Sequence, residues 1–135
     1  MNKSFNHKIK VYYEDTDAGG VVYYANYLKF LERARSEVLS EVGLSNLKIK
    51  KDYGALIIVK SCNIDFNKSA LLEDKLNINS VVTSFSKTSF TMSQSIYRNK
   101  DIIVKSEVHL VFVNEKSKPI KIPEKILKTL KPFFS

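Results

Sequence analysis

One long helical pattern followed by four strand patterns is the feature that most constrains how this chain can fold. Across residues 24–42 apolar side chains recur every three or four positions, as in an amphipathic helix, and they form a stripe of Tyr27, Leu31, Ala34, Val38 and Val42. Alternating apolar residues, typical of strands, then fill 55–66, 75–85, 89–97 and 102–113. Strands that follow one another without crossover helices predict an antiparallel sheet. At 1.5 Å per residue the helix would be roughly 28 Å long, enough to cross that sheet.

The two ends of the chain complete the predicted architecture. Residues 5–13 alternate loosely and predict a first strand, and Gly43 is placed to end the long helix in the left-handed conformation. A Lys-rich segment at 48–51 is expected to be a connection, and residues 122–124 open a short C-terminal helix with proline at its first position. We therefore predict one α+β domain over residues 1–135, with an antiparallel five-stranded sheet curled around one long central helix.

The predicted strand faces carry two further expectations. Each apolar face is interrupted once near its middle, where a small residue gives the helix room and a polar one can reach a site; the interruptions are Lys60, Ser80, Gln94 and Ser106. The apolar face of 55–66 is predicted to consist of Leu56, Ile58, Cys62, Ile64 and Phe66. Cys62 is thus expected to be a small buried hydrophobe.

Cysteine usage and hydropathy point to the cytoplasm. The single cysteine cannot form an internal disulfide, which fits a reducing compartment. The N-terminus lacks the apolar stretch of a signal peptide, and no run approaches the ~18 apolar residues of a membrane span. His7 and His109 are the only histidines, and neither belongs to a spaced ligand cluster. We expect neither a metal nor a cofactor.

The charge balance favours anionic partners without choosing among them. The chain has 22 basic and 14 acidic side chains, a net charge of +8. Nucleic acid is disfavoured because no Arg-rich patch is interleaved with stacking aromatics. Residues 114–135 hold six Lys against two Glu. This segment is expected to be a basic cap over the end of the sheet; the alternative is an amphipathic contact with a membrane or a protein.

Most of the candidate reactive groups lie in the loop that precedes the long helix. In this acidic loop (residues 12–23), three carboxylates, Glu14, Asp15 and Asp17, precede a Gly-Gly pair. The first turn of a helix leaves N–H groups unpaired at the positive end of the helix dipole. A carboxylate beside such a turn supplies a base or nucleophile, and the N–H groups can hold an oxyanion. Asp17 lies nearest the glycines and the helix.

The amino-acid sequence of this loop resembles that of a known family. Tyr-Tyr-Glu-Asp-Thr-Asp-Ala-Gly-Gly-Val-Val-Tyr at 12–23, followed by Asn-Tyr at 26–27 and Glu-Arg-Ala-Arg at 32–35, closely resembles the YbgC-type acyl-CoA thioesterases. These belong to the 4-hydroxybenzoyl-CoA thioesterase class of the hotdog fold. The resemblance implies hydrolysis of acyl-CoA to a free acid and coenzyme A. It also implies Asp17 as nucleophile or general base and the backbone N–H of Tyr24 as oxyanion donor.

The resemblance extends to substrate binding, with several alternatives open. It implies coenzyme A bound along two strands and often across a dimer interface, which makes Lys60, Lys87 and Ser89 candidate contacts. Asn26 either caps the helix or binds substrate. Glu32 matches a position where some hotdog thioesterases have a catalytic carboxylate, but an ion pair with Arg35, three residues on, is favoured.

The resemblance leaves the acyl preference, the carrier of the acyl group and the catalytic role itself undecided. YbgC relatives often have His where this chain has Tyr24, so rate or acyl preference can differ. An acyl carrier protein is an alternative partner to coenzyme A. The chain is expected to form a homodimer or homotetramer, because a curled sheet leaves an edge strand unpaired. The alternative function is a non-catalytic module that binds an acyl carrier protein or works with the Tol-Pal envelope system.

Overall fold

The computed structural model of this chain describes residues 4–134 and has the predicted hotdog architecture. Its strands are β1 (Phe5–Lys10), β2 (Leu56–Phe66), β3 (Lys75–Phe85), β4 (Ser89–Arg98) and β5 (Asp101–Val113). They form one antiparallel sheet in the order β1-β3-β4-β5-β2. Its α-helices are α1 (Asn26–Glu41), α2 (Asn46–Tyr53) and α3 (Glu124–Leu130). The sheet curls around α1, as predicted.

Helix α1 buries one side and ends as its sequence predicts. The buried side consists of Tyr27, Phe30, Leu31, Ala34, Val38 and Leu39. Each of the larger apolar side chains, Phe30, Leu31, Val38 and Leu39, contributes roughly 1.5–3 kcal/mol when fully removed from water. Past the C-terminus, Gly43 has φ +79°. Its N–H donates to Ser40 O (3.0 Å), and the Leu44 N–H donates to Leu39 O (2.8 Å). This is a Schellman motif, which satisfies the last carbonyl groups of the helix.

A row of polar residues crosses the inner face of the sheet beneath α1. Ser80 is the cross-strand partner of Gln94, and Gln94 is the partner of Ser106. All three are buried. The apolar residues on either side of this row form two separate clusters, one around Val38 and one around Leu31. Three of the predicted interruptions therefore lie together, and the helix crosses directly over them.

Two boundaries were predicted wrongly. The first strand ends at Lys10 rather than at residue 13, because residues 13–15 form a 3-10 turn that bends the chain into the acidic loop. The Lys-rich segment is not a plain connection but lies within α2. Ser45 caps this helix by accepting a hydrogen bond from the Lys48 N–H (3.2 Å), and Gly54 follows its end at φ +62°.

The predicted face of β2 was also wrong, because the strand contains a β-bulge. The register shifts between Val59 and Ser61. At this point the inward-pointing side chains therefore switch between odd-numbered and even-numbered positions. Ile57 packs on one core cluster and Ile64 on the other, whereas Ile58 lies opposite Val111 on the outer face. Cys62 is exposed rather than buried. Strand β2 is an edge of the sheet, and α1 leaves most of it uncovered.

The C-terminal segment packs as a cap. Helix α3 buries Ile126 and Leu130, and Pro123 precedes the helix as its N-cap instead of occupying the first helical position. The segment adds the apolar side chains of Ile120, Ile122 and Phe133 to the cluster around Val38. Within residues 4–134, no helix is long and apolar enough to cross a membrane.

Candidate active site

The acidic loop is a small hairpin that its own backbone closes. Thr16 pairs with Val22, and the Asp17 N–H donates to Val21 O (2.9 Å). The Gly20 N–H donates to Asp17 O (3.1 Å), and Gly20 has φ +81°. A side chain at this position would strain the turn, which explains glycine there. The hairpin therefore fixes the backbone of Asp17 before any substrate arrives.

The loop that follows β2 holds this hairpin in place. In this loop (residues 67–74), Ala70 O accepts from the Val22 N–H (2.9 Å), and the Leu72 N–H donates to Gly20 O (3.1 Å). Asp74 anchors the loop through an ion pair with Arg98 at 2.6 Å. The 67–74 loop thus connects the sheet to the entrance of α1.

Tyr27 links the same loop to the first turn of α1. Its buried phenol oxygen accepts from the Ala70 N–H at 2.9 Å. Burial raises the pKa of this phenol, and the bond from Ala70 opposes the rise in part. The hydroxyl stays protonated at neutral pH and serves as a structural contact between loop and helix.

We expect Tyr27→Phe to lower the free energy of unfolding by about 1–3 kcal/mol, because it leaves the Ala70 N–H buried without an acceptor. Urea unfolding followed by circular dichroism measures this. Tyr24→Phe, which removes an exposed hydroxyl, is the matched control and should stay within about 0.5 kcal/mol of the parent. Equal stability of the two variants would show that the Tyr27 bond does not hold the loop.

The two aspartates of the hairpin have different environments. Asp15 is buried, and its Oδ2 accepts from the Tyr12 N–H (2.9 Å). Its carbonyl accepts from the Tyr23 N–H (3.0 Å) and from the Asn26 side chain (2.9 Å). Asp15 therefore builds the loop rather than facing a ligand.

Asp17, in contrast, presents a carboxylate oxygen to solvent. Its Oδ1 accepts from the Gly19 N–H (2.8 Å), which fixes the side chain's direction. Over the described chain, its Oδ2 has no hydrogen-bond or ion-pair partner. An exposed, oriented carboxylate oxygen is what a nucleophile or a general base requires.

The entrance of α1 leaves backbone donors open beside this loop. The N–H groups of Asn26, Tyr27 and Leu28 donate to carbonyls three residues earlier, at 2.8–3.3 Å. The N–H groups of Tyr24 and Ala25 have no acceptor among residues 4–134. They lie at the positive end of the helix dipole. The ring of Tyr24 is 62% exposed and contacts Phe66 of β2 edge-on at 6.1 Å.

The structure changes the interpretation of two predicted residues. Asn26 is the first residue of α1 and not its N-cap, which is Ala25. Glu32 and Arg35 form no ion pair within 4 Å, so that expectation was wrong. Glu32 instead accepts from the Ser36 hydroxyl (3.0 Å), and Arg35 donates to Gln94 (3.0 Å).

The predicted coenzyme A contacts lie away from Asp17 within one chain. Lys60 and Ser89 line the same shallow groove of about 210 Å³ on the outer face of the sheet, and Lys87 lies exposed next to it. Ser89 is at the opposite end of β4 from Arg98, which binds the 67–74 loop. They are nine residue steps apart along the strand, which corresponds to roughly 30 Å.

Sequence reasoning missed Phe66, which lies beside Tyr24 at the helix entrance, and the bond between Arg35 and Gln94. Phe66 ends an apolar strand and resembles any core residue, so no local signal singles it out. The pair of Arg35 and Gln94 had one signal, the polar residue in the middle of an apolar strand face.

A curled antiparallel sheet around one central helix is the hotdog fold, and in this chain an aspartate-containing loop leads to open N–H groups at the helix entrance. A family model of the Thioesterase-like superfamily matches residues 11–130. The chain belongs to this superfamily.

Relatives and solved structures match nearly the whole chain. The chain is 34% identical over 127 residues to the acyl-CoA thioesterase YbgC of Haemophilus influenzae, covering 93% of both chains. It is 36% identical over 129 residues to the acyl-CoA thioester hydrolase YbgC of Escherichia coli O6:H1, covering 94% of this chain and 96% of the other. The crystal structure of a probable thioesterase from Bartonella henselae superposes with a TM-score of 0.86 at 31% identity, covering 90% and 100% of the two chains.

Proposed function

We propose that this protein hydrolyses acyl-CoA thioesters to a free acid and coenzyme A, with its reaction centre between Asp17 and the Tyr24 N–H. The observation that carries this is the open N–H at the entrance of α1, preceded by a loop in which an aspartate has an unpaired oxygen. The names of the Haemophilus and Escherichia relatives support the activity.

The Tyr24 N–H provides the electrostatic part of the reaction. It donates to the thioester carbonyl oxygen and strengthens that bond as negative charge develops there. The helix dipole acts in the same direction. Because the donor is a backbone group, the tyrosine side chain does not have to take part.

Asp17 provides the bond-forming part by one of two routes. As a nucleophile, Oδ2 attacks the carbonyl carbon, coenzyme A leaves as a thiolate, and water hydrolyses the resulting anhydride. As a general base, Oδ2 takes a proton from water, which attacks the carbon, and the proton is returned as the thiolate leaves. Both routes give one acid and one thiol for each thioester and water consumed.

The assay that tests this function measures thiol release from acyl-CoAs of graded chain length and from one aryl-CoA. At least one thioester should be cleaved with equal amounts of acid and thiol formed. Tight binding of acyl chains or acyl carrier protein with no cleavage would instead support the non-catalytic module.

We propose that two copies associate through their β2 edges, as a homodimer or as the dimer unit of a homotetramer. Edge strands with exposed apolar side chains tend to pair with another chain, and β2 exposes Ile58, Val59 and Phe66. This association would bring the groove of Lys60 and Ser89 on one copy towards the helix entrance of the other. We propose these two residues, Lys87 and Asn26 as contacts for coenzyme A.

A charge on this edge is expected to weaken the association. Ile58→Lys places two like charges near the two-fold axis, and we expect dimerisation to weaken by about tenfold or more. Sedimentation velocity measures the change. Asn6→Lys adds the same charge to β1, the other edge of the sheet, and should leave the sedimentation coefficient unchanged. Dissociation by Asn6→Lys alone would assign the interface to β1.

Two further partners belong to this proposal. An acyl carrier protein can replace coenzyme A as the thioester's carrier, and the basic residues of 114–135 are the one segment we propose for contact with a membrane. We place the enzyme in the cytoplasm, where the exposed Cys62 stays reduced.

A further inference from the structure

Arg35 is held at the centre of α1 by a buried polar network. Its Nη1 donates to Gln94 Oε1 at 3.0 Å. Gln94 is completely buried, and its Nε2 donates to Leu31 O (3.1 Å) and to the Ser80 hydroxyl (3.0 Å). The amide of Gln94 is therefore fixed in one orientation, with its oxygen towards Arg35. This bond directs the guanidinium of Arg35 towards Gln94.

This guanidinium has no carboxylate partner. Within the described residues, it has no ion pair inside 4 Å, and Gln94 is its single side-chain partner. Partial burial lowers the pKa of Arg35, and Glu32 and Cys62 oppose the shift only by longer-range attraction. Four of its five N–H donors remain available. A partly desolvated cation with open donors gains strongly from an anionic ligand.

Arg35 lines a cavity between α1 and β2. The cavity measures about 110 Å³, several times the ~10–15 Å³ that one water requires. Most of its wall is apolar and is formed by Leu39, Ile57, Val59, Phe90, Met92 and Leu110. Glu32, Ser36 and Asn46 supply the remaining polar wall. It has room for the end of an aliphatic chain with one polar terminus.

The cavity and the helix entrance both lie between α1 and β2. Strand β2 runs beside α1 from Phe66, which contacts Tyr24 and Tyr27, to Ile57 and Val59, which line the cavity with Arg35. From Tyr24 to Arg35 the helix rises roughly 16 Å, and the arginine side chain leans back by about one turn. About 11 Å therefore remain between the level of Tyr24 and the Arg35 guanidinium. An extended acyl chain that advances ~3.5 Å for every three bonds covers this distance with about nine bonds.

We propose that Arg35 is a specificity-determining residue that binds an oxygen-bearing terminus, a carboxylate above all, on a medium-length acyl chain. This inference rests on the proposed thioesterase function and names its substrate class. The thioester carbonyl lies at the Tyr24 N–H, the chain follows the gap between α1 and β2, and its far end reaches the guanidinium.

The test compares matched thioesters that differ only at the far end of the chain. The kcat/KM ratio of the mono-CoA ester of decanedioic acid to decanoyl-CoA is measured for the parent and for Arg35→Met, with the eight- and twelve-carbon pairs as length controls. We expect the ratio to fall about tenfold or more in Arg35→Met, mainly through KM, because a charge-assisted hydrogen bond is lost. Arg35→Lys keeps the charge and should retain part of the preference.

Arg33→Met is the matched control, since Arg33 is exposed on the same helix. It should leave the ratio unchanged. If the ratio is the same in the parent, Arg35→Met and Arg35→Lys while decanoyl-CoA is still cleaved, the inference is overturned and the proposed function stands. A change in sedimentation with no change in ratio also overturns it, since Arg35 is then a subunit contact. If the parent cleaves no thioester, the proposed function fails first.

Discussion

Asp17→Asn is expected to lower kcat for acyl-CoA hydrolysis by about 10²–10⁴-fold while the protein stays folded. Asparagine keeps an Oδ1 that accepts from the Gly19 N–H, so the hairpin retains this 2.8 Å hydrogen bond. It replaces the unpaired carboxylate oxygen with an amide that neither attacks a carbonyl nor takes a proton. The acyl-CoA used is the best substrate from the thiol-release assay.

Glu14→Gln is the control for this variant, because Glu14 is an exposed carboxylate in the same loop. It should change kcat less than about threefold, as a surface change away from the reacting atoms. Thermal unfolding of both variants confirms that the loop is intact. Turnover by Asp17→Asn at the parent rate would remove Asp17 from the mechanism.

Tyr24→Pro is expected to cost about 10²–10³-fold in kcat, the usual loss when one oxyanion donor is removed. Proline has no N–H, and Tyr24 lies in the turn that precedes α1 rather than inside the helix. Since the Tyr24 N–H donates to no acceptor among residues 4–134, its removal breaks no internal hydrogen bond. The variant therefore separates catalysis from folding.

The control for Tyr24→Pro is Tyr24→Ala, which keeps the backbone donor and removes the ring. We expect Tyr24→Ala to retain kcat within about tenfold and to affect mainly KM, because the exposed ring lies beside Phe66 at the entrance. An equal loss in both variants would assign the effect to the side chain and would contradict a backbone oxyanion donor.

Periodicity was sufficient to predict the fold because most elements obey one period from end to end. Helix α1 and strand β3 lie within two residues of their predicted bounds. The face of β2 was predicted wrongly because a bulge near Lys60 changes the period inside the strand. Lys60 interrupts the apolar pattern in the sequence, but a polar interruption does not by itself indicate an extra residue. Helix α2 was missed because Lys dominates its eight residues, although Ser45 and Gly54 mark its two ends.

Only part of the candidate site could be predicted from the sequence. The short spacing of Asp15, Asp17 and Gly20 indicates a loop with a carboxylate, but burial distinguishes the two aspartates, and burial depends on the 67–74 loop. The bond from Arg35 to Gln94 joins residues 59 positions apart. Local spacing favoured Glu32 as the partner of Arg35, and the sheet supplied a different one.

The most direct measurement is the amide NMR signal of Tyr24 when a ketone analogue of the acyl-CoA substrate, with CH2 in place of sulfur, binds to the parent protein. We expect a downfield shift of the Tyr24 amide proton that saturates with binding, because its N–H then donates to the carbonyl oxygen. Saturable binding of the analogue with the Tyr24 amide unmoved would contradict it.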